Sequence, residues 1–193
     1  DPPGSMDLDQ AFHLERLTNG RGTTTGYVVY YAIADIAAFL TPKGPLAAST
    51  HERGVTYYGP DGRFGLHPPV LSEGAASLLP DQDRPAALWR IQLDSDGVIA
   101  DIDVRRAWVR SRAQLTYPQV QQMLEAGTAD EMLALLPEIG TKRTDLQIAR
   151  GGASLDVPEQ EVTQDGDRYR LSYHAPLAVE EHNSQLSLLT GMA

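Results

Sequence analysis

Leu88-Trp89-Arg90-Ile91-Gln92-Leu93-Asp94-Ser95-Asp96-Gly97-Val98-Ile99-Ala100-Asp101-Ile102-Asp103-Val104 decides the architecture. Two strand-like runs, 88–93 and 98–109, flank the tetrapeptide Asp94-Ser95-Asp96-Gly97, whose polar and glycine residues suit a tight hairpin turn. An antiparallel pair is therefore expected here. Toward the N-terminus, residues 27–39 are aromatic, β-branched and nearly continuous, as in a central strand buried on both faces. Residues 11–17 alternate, with Phe12 and Leu14 on one face and His13 and Glu15 on the other, and Asn19-Gly20-Arg21-Gly22 turns the chain. Residues 45–53 read as a short helix ended by Gly54, and 56–62 as a strand end running into a turn.

Toward the C-terminus the period changes. Residues 117–125 place Val120, Met123 and Leu124 at helical spacing, and Gly127 closes the run. Thr128-Ala129-Asp130-Glu131 reads as a capping box for a further helix, interrupted by Pro137 and Gly140 and stopped by Gly151-Gly152. A strand at 168–173 and a final helix at 177–192 follow. Long antiparallel strands followed by grouped helices predict one α+β domain, a mixed, largely antiparallel sheet with helices packed on it.

The bulk composition, 41% hydrophobic and 22% charged over 193 residues, is that of a folded protein with a real core. No 18-residue apolar window exists, since the best candidate contains Asp35, so no membrane partner is expected. The absence of cysteine excludes disulfides and thiolate metal sites and fits a cytoplasmic location. The five histidines show no HxH or HExxH spacing and are assigned neither zinc nor base chemistry. A net charge of -10 argues against tight RNA binding by bulk charge. The charge is unevenly spread: Asp1, Asp7 and Asp9 crowd the start, whereas Arg105, Arg106, Arg110 and Arg112 form a basic run. Strand alternation puts Arg106, Arg110 and Arg112 on one face, able to hold phosphates or simply to face solvent. The chain begins on its most chemical motif and stops inside an apolar helix, so it is expected to be a fragment truncated at both ends.

That motif is Asp1-Pro2-Pro3-Gly4-Ser5-Met6-Asp7-Leu8-Asp9-Gln10-Ala11. If Asp7 to Asp9 is extended, both carboxylates point the same way, about 7 Å apart. Pro2, Pro3 and Gly4 would turn Asp1 back onto them. Three hard oxygen donors around one point suit magnesium, although Asp-Leu-Asp alone is equally a solvated loop before a strand.

The stretch resembles the acidic motif of the RNB catalytic domain of the ribonuclease II/R family, D-x5-D-x-D-D-A, with Asp1, Asp7 and Asp9 on its first three aspartates and Gln10 in place of the fourth. Further blocks resemble the family in order: Tyr31-Ala32-Ile33-Ala34-Asp35; Arg53-Gly54-Val55-Thr56-Tyr57-Tyr58-Gly59-Pro60; Leu71-Ser72-Glu73-Gly74 with Ser77-Leu78-Leu79-Pro80; Val109-Arg110-Ser111-Arg112-Ala113-Gln114-Leu115-Thr116-Tyr117; and Val179-Glu180-Glu181. The resemblance implies an RNB-like fold and a Mg2+-dependent 3′ to 5′ exoribonuclease acting on single-stranded RNA and releasing nucleoside 5′-monophosphates. It implies that Asp1, Asp7, Asp9 and Gln10 surround the metal, with Asp9 the first choice for an essential residue. Tyr58 would pack on the terminal nucleotide, and Tyr117 with Glu180 or Glu181 would sense the ribose 2′-hydroxyl. A later family block, T-S-P-x-R-R-Y, has no counterpart in these 193 residues, so the chain alone is expected to be nearly inactive. Gln10 also leaves open a catalytically inactive RNB-like module that binds RNA or protein, and, more remotely, an acidic metal-binding interaction module.

Overall fold

A computed structural model of the chain describes residues 4–59, 62–153 and 159–193. Its centre is a four-stranded antiparallel sheet in the order β1-β2-β5-β6, formed by β1 (Gln10–Thr18), β2 (Thr24–Ala34), β5 (Asp83–Asp94) and β6 (Ile99–Arg110). Between β2 and β5 lie α1 (Pro45–Arg53), the two-stranded hairpin β3 (Tyr57–Gly59) and β4 (Gly62–Phe64), and a π-helical segment, Val70–Ala75. After β6 come α2 (Tyr117–Glu125), α3 (Glu131–Ala149), a second hairpin of β7 (Glu159–Asp165) and β8 (Arg168–His174), and α4 (Ala178–Met192). The architecture is the α+β arrangement expected.

The β5–β6 hairpin forms as its sequence dictates. The Asp94 carboxylate accepts from the amides of Asp96 and Val98, both at 2.9 Å, and Gly97 takes φ +84°. A side chain at Gly97 would meet the Lys142 Cβ at 2.9 Å, so the turn lies against α3. There the buried Arg143 donates to the Gly97 carbonyl at 2.9 Å.

Alternation along β2 builds two cores. Tyr27, Val29 and Tyr31 face the helices with Leu14, Ile91 and Leu93, and meet Val120, Leu136, Ile139, Val179, Leu186 and Leu189. Each such fully buried large side chain contributes about 1.5 to 3 kcal/mol. On the other face Ala32 joins Leu8, Leu78 and Ala86 in a smaller cluster. The helices close tightly on one another. At Gly140 an added Cβ would sit 2.6 Å from His182, so α3 and α4 cross where α3 has no side chain. Burial there depresses the pKa of His182, and its Nδ1 finds no partner among the described residues.

Two boundaries differ from expectation. The central strand stops at Ala34, not residue 39, because the Asp35 carboxylate caps a 3-10 turn, Ile36–Ala38, accepting from the Ala38 amide at 3.2 Å. The cap of α3 is Asp130 rather than Thr128: its carboxylate accepts from the Leu133 amide at 2.8 Å, while the Thr128 hydroxyl donates back to the Met123 carbonyl. Pro137 sits inside α3 without ending it.

The sheet is fastened to α3 by Glu138. It accepts a two-pronged bond from Arg16, at 2.8 and 2.6 Å, and a short one from the Tyr27 hydroxyl. The Arg16 guanidinium, opposed by desolvation, holds the Glu138 carboxyl below its usual range. Burial, then Glu138, pushes Tyr27 up to about 12. A carboxyl with a depressed folded pKa contributes stability that is complete above its unfolded value and fades as pH falls through the folded one. Glu138→Gln is therefore expected to cost about 1 to 2 kcal/mol at pH 7, the side chains being one third open to screening water. The gap from the unsubstituted chain should narrow below about pH 4, which urea unfolding across pH 3 to 7 would read.

Candidate functional site

The acidic motif is built by burial. Leu8 inserts into the smaller core at 5% exposure, and three hydrogen bonds hold its backbone segment. Its amide donates to the Ser77 hydroxyl at 3.0 Å, its carbonyl accepts from the Leu78 amide at 2.7 Å, and the Ser77 hydroxyl donates to the Met6 carbonyl at 2.6 Å. The Asp9 carbonyl meanwhile accepts from the Ala34 amide at 2.8 Å. With Leu8 facing inward, Asp7 and Asp9 both turn to one cleft of about 550 Å³, as the alternation of an extended segment requires. Tyr58, Arg63, His67 and Glu73 line the same cleft.

Although Asp9 keeps an exposed edge, the surrounding walls desolvate it and raise its carboxyl pKa; its own backbone amide opposes this, and the neighbouring charge of Asp7 adds to it. Asp7 is differently placed. Arg63, from β4, donates through one guanidinium nitrogen to the Asp7 carboxylate and through the other to Glu73 at 2.6 Å. Glu73 first, then Asp7, hold the Arg63 guanidinium above its ordinary pKa. In the β3–β4 register Arg63 stands directly opposite Tyr58, so both share the cleft face, while Tyr57 and Phe64 share the outer face. Burial, then the charge of Arg53, lowers His67.

The expected site is thus partly assembled. Asp7, Asp9 and Tyr58 meet in one cleft. Asp1 lies outside the described residues, and among the described residues no three His, Asp or Glu side chains converge as a ligand set. Gln10 is turned aside: its amide oxygen accepts from the Tyr31 hydroxyl on the helix-facing side of β2. Tyr31 is raised by burial, opposed by a hydrogen bond with Ser187 of α4 and supported by the fields of Asp9 and Tyr117. Tyr117, Glu180 and Glu181 do not line the cleft. Tyr117 begins α2, and its hydroxyl accepts from the Asn183 amide of α4 at 3.0 Å. Glu180 is half-buried and Glu181 exposed in the first turn of α4.

Three of the four arginines of the basic run are paired, while Arg112, exposed just past the end of β6, makes no ion pair among the described residues. Arg106 pairs with Asp35 at 2.6 Å, Arg110 with Asp83 at 2.8 Å and Arg105 with Asp103 at 3.4 Å. The Asp35 carboxylate, its side chain only 9% exposed, is neutralised by Arg106. Sequence reasoning passed over Ser77, Arg63 and His67; for Ser77 and Arg63 the missing signal is a contact across 69 and 56 residues. A second depression of about 400 Å³ beside α2, lined by residues such as Gln114, Gln119, Met123 and Thr128, contains no ionisable group and offers no chemistry.

A carboxylate pair on the loop entering the sheet thus faces an aromatic side chain in one cleft. The chain belongs to the RNB domain family, which matches it over residues 1–186. It is 33% identical over 133 residues to exoribonuclease 2 of Vibrio cholerae, covering 68% of this chain and 19% of that protein. An uncharacterized ribonuclease of Synechocystis is 28% identical over 168 residues, 86% of this chain and 24% of that protein. The fold matches RNase R of Mycoplasma genitalium, solved in complex with ribose-methylated single-stranded RNA, with a TM-score of 0.85 at 22% identity over 98% of this chain and 30% of that chain. The chain therefore spans roughly a fifth to a quarter of the length of these curated relatives. Among the described residues no helix is long and apolar enough to cross a membrane.

Proposed function

We propose that this chain supplies the metal-binding and nucleotide-gripping part of a magnesium-dependent hydrolytic exoribonuclease, which degrades single-stranded RNA from 3′ to 5′ and releases nucleoside 5′-monophosphates. The observation that carries this reading is the presentation of Asp7 and Asp9 to the cleft that Tyr58 borders, on the two sides of a buried Leu8. Two hard carboxylates on one wall, of which Asp9 meets no arginine among the described residues, fit Mg2+. The Gln10 amide, engaged by Tyr31, fits less well and joins the set only after turning. Asp1 completes the proposed ligands. These acids would hold the magnesium, whose chemistry there would be to provide a water nucleophile at neutral pH and to stabilise the leaving oxygen of the phosphodiester.

The chain's own side chains do the rest. Tyr58, largely exposed, offers an aromatic face on which a base of any identity can stack, worth about 1 to 3 kcal/mol. A tyrosine hydroxyl with a carboxylate can read the ribose 2′-hydroxyl, the group that separates RNA from DNA. Residues three apart share a helix face. Glu180 therefore shares a face with Asn183, which touches Tyr117. That supports Glu180 rather than Glu181 as the partner of Tyr117. A cytoplasmic location belongs to the same proposal.

The test uses the protein containing this chain and 3′-tailed single-stranded RNA. Stepwise release of 5′-monophosphates is expected, abolished by EDTA, restored by Mg2+ and absent for DNA of the same sequence. Degradation that persists in EDTA, or equal attack on DNA, would refute it.

A further inference from the structure

Arg63 is the one cation that reaches into the acidic side of the cleft among the ion pairs of the described residues. It sits on a short hairpin whose two strands pair only with each other and whose described residues are all exposed. Such a hairpin has little hydrophobic anchorage, so polar ties decide where it stands. Arg53 secures its exit, donating to the Gly65 carbonyl at 3.0 Å and to that of Leu66. Arg63 secures its cleft face, bridging Asp7 on the motif and Glu73 on the π-helical segment. The register puts Tyr58 beside that bridge.

Resting on the metal reading above, we propose that Arg63 is a positioning residue that trades Asp7 for the divalent ion. Its guanidinium neutralises Asp7 and, with Glu73, holds the Tyr58 hairpin against the acidic motif. A carboxylate that donates its charge to a guanidinium has less to give to a cation a few ångströms away, and the two cations repel. Ion and Arg63 therefore compete for Asp7, and arrival of the ion shifts the guanidinium onto Glu73 and loosens the hairpin. Tyr58 then becomes free to seat on the terminal nucleotide only after the metal is in place. Linkage requires the coupling to run both ways: whatever Arg63 costs the ion, the ion costs the hairpin's hold.

The experiment compares the unsubstituted chain with Arg63→Gln, titrating Mn2+ by calorimetry and following hydrogen exchange of residues 57–59 and 62–64. Removing the competing charge is expected to tighten Mn2+ binding roughly tenfold. In the unsubstituted chain Mn2+ should accelerate exchange of the hairpin amides; in Arg63→Gln exchange should be fast already and indifferent to the ion. Equal or weaker Mn2+ binding by a folded Arg63→Gln chain overturns the proposal. Should that variant not fold, the unsubstituted chain still decides, because a hairpin that Mn2+ protects or leaves unchanged is the opposite result. If the chain binds Mn2+ but Arg63→Gln binds it no better, only the exchange of partners falls. If neither chain binds the ion, the metal reading falls as well.

Discussion

In the protein containing this chain, Asp9→Asn is expected to reduce RNA turnover by roughly a thousandfold or more while leaving the affinity for single-stranded RNA within a few-fold of its original value. The substitution keeps the shape of the side chain and its hydrogen-bonding size but removes the charge. Among the described residues Asp9 is the carboxylate of the pair with no arginine on it, and its backbone is pinned through the Ala34 amide, so an amide at this place inherits the geometry without the charge that the proposed divalent ion requires. Stacking and phosphate contacts elsewhere would still hold RNA. Single-turnover digestion of a 3′-labelled RNA, with a filter-binding isotherm for the same variant, measures both quantities. Turnover within tenfold of the original would remove Asp9 from the chemistry. Loss of RNA binding in step with turnover would point to a role in holding RNA. A protein that only binds RNA would have no turnover to lose, so the same pair of measurements separates an enzyme from an inactive RNB-like module.

The largest expected effect on stability lies at the opposite end of β2. Gly26→Ala should cost about 3 kcal/mol or more. A Cβ at this position would stand 2.1 Å from the Leu93 carbonyl oxygen, 3.2 Å from its carbon and 3.3 Å from the Asp94 Cα, all of them backbone. No side chain can swing away to relieve the overlap, so β2 and β5 must part, and their pairing runs from Gly26 opposite Asp94 to Ala34 opposite Ala86. Urea midpoints of the two chains, compared at equal m-value, give the cost. A difference under about 1 kcal/mol would mean the two strands do not approach here as described.

How much of this was legible in the sequence depends on the range of the interactions involved. The Asp94-to-Gly97 turn, the α1 span ended by Gly54 and the α2 span were readable because their causes are local: an Asx-type bond, a left-handed glycine and the helical spacing of Val120, Met123 and Leu124. The end of β2 was misread because Ile36 to Phe39 continues the apolar run, and only the bond from the Asp35 carboxylate to the Ala38 amide breaks it. The α3 cap was misplaced by two residues, since Thr128 and Asp130 both satisfy the local pattern and the chain leaving α2 claims the threonine hydroxyl. In the candidate site, the outward aim of Asp7 and Asp9 followed from alternation around Leu8. Nothing in the sequence brings Arg63 to Asp7 or turns Gln10 toward Tyr31, because both are decided by where a hairpin and a sheet face come to rest. The basic run was legible as residues but not as a surface: each of Arg105, Arg106 and Arg110 meets an aspartate, two of them from other strands or turns.

Leu8 gives the chain an unusual economy. The residue that spaces the two acids is also a brick in the smaller hydrophobic core, so the interval between them is set by the interior and inherits its rigidity. Changes at Ser77, Leu78 or Ala86, none of which lines the cleft, are expected to be felt as a displacement of the two acids before they are felt as loss of fold. In a map of mutational tolerance, this patch of plain aliphatic and hydroxyl side chains would be as unforgiving as the acids themselves, and for a reason that no inspection of the cleft lining alone would reveal.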